Sequence, residues 1–177
     1  MNSGAFSLDK IGNKILFGVL VMILVVANFL IISKEYVLAN GTTMLLELAP
    51  RDPRSILQGD YMVLRYRLAG DVARYTKQLT DEGQLVVSLD ANNVARFRRI
   101  HDSNTALGTN EHLLFYRKRN NVVKIATDAF FFQEQHGKYY SAARYGQLSV
   151  TGSGDAVLTG LRDKDFNNLS ATPIEGS

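Results

Sequence analysis

The stretch Gly59-Asp60-Tyr61-Met62-Val63-Leu64-Arg65-Tyr66-Arg67-Leu68 places side chains of contrasting character in alternation. In an extended chain successive side chains point to opposite faces. Asp60, Met62, Leu64, Tyr66 and Leu68 therefore share one face, and Tyr61, Val63, Arg65 and Arg67 the other. The first set reads as core-facing, which makes Tyr61–Leu68 the clearest strand signal of the chain. Gly59-Asp60 reads as the tight turn that enters it, because glycine tolerates a positive φ and an aspartate accepts bonds from nearby backbone N–H groups.

Outward from this strand the pattern stays β-rich. Thr43–Leu48 reads as a strand ended by Ala49-Pro50, and Pro50 and Pro53 forbid a helix in the loop that follows. Leu85–Leu89 and Val94–Ile100 flank the turn formers Asp90-Ala91-Asn92-Asn93, which predicts a hairpin. His112–Arg119 and Val122–Ala126 around Asn120-Asn121 predict a second, and Gln147–Thr151 and Ala156–Leu161 around Gly152-Ser153-Gly154-Asp155 a third. Helical spacing is confined to Val72, Tyr75, Thr76 and Leu79 behind a capping Asp71, and to Phe132, His136, Tyr139, Tyr140 and Ala143. The fold class expected is α+β, mostly β: one compact domain over residues 42–166 with one or two short helices, then a polar, mobile tail at 167–177.

Ahead of that domain lies Ile15–Ile32, apolar except for Asn28. As a helix it covers about 27 Å, close to the hydrocarbon thickness of a bilayer. It reads as an uncleaved anchor over 15–33, with a cleaved signal peptide and a buried core helix as the rivals; it is longer than a usual signal h-region. Lys10 and Lys14 before the span, against Lys34 and Glu35 after it, favour a cytoplasmic N-terminal segment (1–14). The stalk at 34–41 and the main domain would then lie across a bacterial cytoplasmic membrane, periplasmic or otherwise extracytoplasmic.

The chain has 177 residues, 46% of them hydrophobic and 21% charged, with 20 Lys+Arg against 17 Asp+Glu and no cysteine. A formal charge of +3, spread among acidic residues, gives no nucleic-acid signature. The lack of cysteine excludes thiol catalysis and thiolate metal sites. His101, His112 and His136 lack paired ligand spacing, so no metal and no cofactor is expected.

Gly59-Asp60-Tyr61-Met62-Val63-Leu64-Arg65-Tyr66 carries every fixed letter of the signature of the GDYXXLXY-domain family, and the chain resembles that family of small, membrane-anchored bacterial proteins. The resemblance extends to the apolar span, to Leu46–Ser55, to Phe131-Phe132-Gln133-Glu134, and to Ala143-Arg144-Tyr145-Gly146 with Gly160-Leu161-Arg162-Asp163. Gln135-His136 departs from it where relatives often place a glycine directly after the glutamate. The family has no assigned activity, so the resemblance implies no catalytic residues. Its members are often encoded beside multi-spanning membrane proteins, which implies a non-enzymatic accessory or binding subunit of an envelope complex, with the bilayer and such a protein as partners. The motif residues Gly59, Asp60, Tyr61, Leu64 and Tyr66 then have two readings: a structural turn with a packed strand, or a turn that presents Tyr61, Arg65 and Arg67 to a partner.

The alternative is a membrane-tethered hydrolase. Pro53–Asp60 is similar to a run in signal-peptidase-like serine/lysine proteases, but Arg51 occupies the position of their nucleophilic serine. Ser55 with Lys118 is the remaining dyad to consider. Arg96, Arg98 and Arg99 would form a cationic patch with Arg117-Lys118-Arg119 if their hairpins were adjacent; otherwise they are solvated charges on edge strands.

Overall fold

The computed structural model describes residues 5–50, 61–133 and 137–169. Ser55, Gly59, Asp60 and His136, all considered above, lie outside the described residues. The chain divides into two units, Met1–Tyr36 and Val37–Ser177.

Helix α1 spans Ala5–Asn40, and its residues through Tyr36 make up the described part of the first unit. Its segment Asn13–Ile32 is long and apolar enough to cross a membrane and is not buried within the protein. Asn28 Nδ2 donates to the Leu24 carbonyl at 2.8 Å, one turn back, so its polar group is satisfied within its own helix. Helical structure continues through Lys34–Asn40, the segment expected to be a stalk.

The second unit is mostly β. Strands β1 (Thr42–Glu47), β8 (Tyr145–Val150) and β9 (Ala156–Arg162) form an antiparallel sheet in the order β1-β8-β9. A two-stranded ribbon pairs β2 (Tyr61–Val63) with β7 (Ala129–Phe131). The third sheet has the order β4-β3-β5-β6, from β3 (Glu82–Leu89), β4 (Ala95–Ile100), β5 (Glu111–Arg119) and β6 (Val122–Ile125). Short helices α2 (Arg67–Ala73) and α3 (Gly137–Tyr140) complete the unit.

All three expected hairpins form, each through its turn chemistry. Asp90 Oδ1 accepts from the N–H groups of Asn92 and Val94, both at 2.9 Å, and Asn93 takes φ 60°. Asn120 and Asn121 both take positive φ, the backbone a two-residue hairpin needs. Gly154, at φ 90°, seats the β8–β9 turn on β5, where its carbonyl accepts from Phe115 N–H at 2.9 Å. That bond ties the first sheet to the third, and Leu45 N–H to Asn93 O, at 2.8 Å, ties them again from β1. Met44–Leu46 and Leu85–Val87 are buried on both faces of their strands, and Met44, Leu46, Leu85 and Val87 build one core with Leu114, Tyr116, Leu148 and Leu161.

Three expectations are corrected. The strand read over Tyr61–Leu68 ends at Val63, and helix α2 begins at Arg67. Leu68 and Val72 satisfy helical i, i+4 spacing and are both buried, so this tertiary burial overrides a continued extended chain. Asp71 consequently lies inside α2 instead of capping a helix over 72–79, and Tyr75–Gln78 form hydrogen-bonded turns. Of the helix read over Phe132–Ala143, only the single turn α3 is helical among the described residues, and strand β7 ends just before Phe132; Phe130 and Phe132 turn inward onto Tyr140, with centroids 4.9 and 5.4 Å away. After β9 the chain stays bonded through Leu169, the third residue of the segment expected to be tail, by the bridge Arg162↔Asn168 and Leu169 N–H to Leu161 O.

Candidate functional site

The motif segment changes backbone partner almost residue by residue. Tyr61, Met62 and Val63 pair with Phe131, Phe130 and Ala129. Leu64 N–H then donates to Asp128 O at 2.7 Å, Arg65 O accepts from Ala49 N–H at 2.7 Å, and Tyr66 bridges Leu48. β6 ends at Ile125, the next residue, Ala126, takes φ 52° although it is not a glycine, and this turn brings Asp128 to Leu64. Through all these changes the side chains keep the expected alternation: Met62, Leu64, Tyr66 and Leu68 are buried, and Tyr61, Val63, Arg65 and Arg67 are exposed.

Tyr66 is the most constrained member. It is 5% exposed, and its hydroxyl is buried with no hydrogen-bond partner among the described residues. Its ring lies against Gly146, where an added Cβ would come within 3.0 Å of it. Burial, and secondarily the nearby charge of Asp128, push the Tyr66 hydroxyl well above the ordinary tyrosine range, so it stays protonated. The Asp128 carboxyl is held below its usual range by its hydrogen bond from Lys124.

Beside Tyr66 opens a cleft of about 630 Å³, walled by the motif segment, the small residues Ala69, Gly70 and Ala73 of α2, and Asn121–Ile125. Arg65 borders this cleft and also a smaller one of about 80 Å³ that includes Arg144. On the β2–β7 ribbon, Tyr61 is 45% and Phe131 74% exposed, with ring centroids 5.8 Å apart and exposed Val63 on the same face.

The other residues singled out by sequence separate. Arg67 pairs with Glu47 at 2.9 Å, and Arg96 reaches the same carboxylate at 3.0 Å. Lys118 Nζ donates to the carbonyls of Leu79 and Thr76, so the lysine closes the turns after α2. The cationic patch does not assemble: β3 lies between β4 and β5, Arg98 donates to Ser88 Oγ, Arg99 pairs with Glu111 and Arg117 with Glu82. Among the described residues no group of three His, Asp or Glu side chains could hold a metal ion.

The family model described as "GDYXXLXY protein" matches residues 23–161, well over half of the chain. The chain belongs to the GDYXXLXY family. No curated protein matches it. No solved structure matches it. Within the described part of the GDYXXLXY signature, Leu64 and Tyr66 are interior and Tyr61 is exposed.

Sequence placed Val63 on the outward face and Phe131 in a stretch shared with the family but named neither as a site residue, and it did not pick out the small residues of α2. The alternation inward, outward, inward across Phe130-Phe131-Phe132 was a usable signal for a strand with one exposed aromatic. Nothing in sequence announces that Ala69, Gly70 and Ala73 leave a cleft, because vacancy depends on what packs opposite.

Proposed function

We propose that this protein is a membrane-anchored, non-enzymatic accessory subunit of a bacterial envelope complex, which binds a multi-spanning membrane protein through the outward face of the β2–β7 ribbon. The observation that carries this reading is the exposed Tyr61–Phe131 pair with Val63 beside it. Large aromatic side chains left in water are the groups whose burial anchors interfaces, and an adjacent arginine, Arg65, adds a residue type enriched there. The membrane-length helix Asn13–Ile32 supports the anchor, and the positive charges before it support a cytoplasmic N-terminus. The dyad chemistry has less support, since the Lys118 ammonium is occupied as a donor to two carbonyls.

The test is capture of the full chain from membranes in mild detergent, with Tyr61→Ala/Phe131→Ala alongside. Recovery of a multi-spanning membrane protein that is lost from the double variant is the expected result; equal recovery with both chains sinks the proposal. Because the chain has no cysteine, Lys164→Cys also gives a clean topology probe. An impermeant maleimide should label it in intact spheroplasts, and labelling only after lysis would reverse the orientation.

A further inference from the structure

The geometry points to the cleft beside Tyr66 as a binding site for a free long-chain fatty acid, its aliphatic chain lying between α2 and β6 and its carboxylate on the Arg65 guanidinium. The volume of about 630 Å³ falls within the roughly 300–1,000 Å³ typical of small-molecule sites. The walls are aliphatic or small, with Val63, Ala69, Gly70, Ala73, Val122 and Ile125 on facing sides. On the motif side the backbone groups of Leu64 N–H and Arg65 O are already bonded, to Asp128 and Ala49. An occupant lying along that wall gains nothing from polar groups of its own, and an amide desolvated there without a partner would cost free energy.

Charge selects the head group. Lys124 and Asp128 at the cleft neutralise one another. The Arg65 side chain is exposed and makes no hydrogen bond or ion pair among the described residues, which leaves one uncompensated cation at the border. A single anionic group on an apolar chain complements that arrangement, and a guanidinium binds a carboxylate through two parallel N–H donors. The cleft shares Val63 and Arg65 with the proposed partner face, but the aromatic pair that carries that face, Tyr61 and Phe131, does not line it.

The test uses the full chain in phospholipid nanodiscs and a hexadecanoate carrying a diazirine, photo-crosslinked and mapped by mass spectrometry. Label is expected on the tryptic peptides 68–74 and 120–124. Gly70→Leu adds a side chain at the cleft wall, where the first added atom, Cβ, meets nothing within 4 Å. It should lower that labelling by about tenfold or more while the unfolding temperature holds or rises, leucine being the better helix former. Ala73→Leu, a turn further on, supplies the same block without touching the glycine. Arg65→Gln should raise the hexadecanoate concentration needed for competition by about tenfold, the scale of one charge-assisted hydrogen bond. Label indifferent to both leucine variants, label confined to α1, or competition by hexadecan-1-ol as strong as by hexadecanoate would each overturn the inference. Partner capture by Gly70→Leu then separates this outcome from failure of the accessory-subunit reading.

Discussion

Tyr61–Leu68 and the β5–β6 hairpin carry the same alternating pattern but solve the backbone problem differently. In the hairpin, Tyr116–Arg119 pair in unbroken register with Val122–Ile125, so every step of alternation is also a step of the ladder. In the motif segment the ladder stops at Val63, and the next residues bond to Asp128, Ala49 and Leu48 before α2 begins. The buried face nevertheless continues without a slip through Leu68. Alternation therefore reports which side chains are buried, and it is silent about what the backbone bonds to. The motif segment depends on its side chains where the hairpin depends on its ladder.

The largest effect should come from Tyr66. Tyr66→Ala removes a buried ring from the core and should cost about 3–5 kcal/mol of unfolding free energy, the scale of large aromatic-to-alanine changes. Tyr66→Phe keeps the ring and deletes only a buried hydroxyl without a partner, so stability should stay within about 1 kcal/mol of the parent or rise. The same group sets an alkaline signature. The unfolded tyrosine ionises near pH 10, whereas folded Tyr66 is held protonated above that, so the unfolded state binds fewer protons there. This contribution to stability is fully present below about pH 10 and falls above it by up to about 1.4 kcal/mol per pH unit. Denaturant titrations of parent and Tyr66→Phe should diverge only in that window; parallel curves would show that Tyr66 is not shielded from water.

The three hairpins were legible because their turn residues act locally: Asp90 bonds its own loop, and Asn120 and Asn121 accept positive φ without outside help. The buried face of the motif was legible for the same local reason. The helix at Arg67 was not, since Leu68 alternates correctly for a strand and only its pairing with Val72 across one turn of buried surface decides against one. The cleft was the least legible part. Asp128 enters it through Leu64, Arg65 is left unpaired among the described residues while Arg67 is drawn to Glu47, and each outcome depends on residues distant in sequence.

A second test strikes the ladder side of the comparison. At Gly154 an added Cβ would lie 3.1 Å from the backbone of Leu113, Leu114 and Phe115, at a φ of 90° that side chains resist. Gly154→Ala should therefore lift the β8–β9 turn off β5 and cost about 1–3 kcal/mol, the scale of one strained residue. Chemical denaturation would register it as a lower midpoint. An unchanged midpoint would mean that the contact between these two sheets lies elsewhere.

The smallest effect belongs to the exposed face of the motif. Glu47 holds Arg67 and Arg96 at 2.9 and 3.0 Å, and so links β1 to the start of α2 and to the edge strand β4. Both arginine side chains are more than half exposed. Water and salt screen such pairs, and fixing the long side chains costs entropy, so Glu47→Gln should lower stability by only about 0.5 kcal/mol. The difference from the parent should shrink further in about 1 M salt, where the screening length drops to roughly 3 Å. A loss above about 2 kcal/mol, insensitive to salt, would mean that the outward side of the segment shapes the fold as much as the inward side does. Tyr61, Val63 and Arg65 would then be structural residues rather than surface left free for a partner or a ligand.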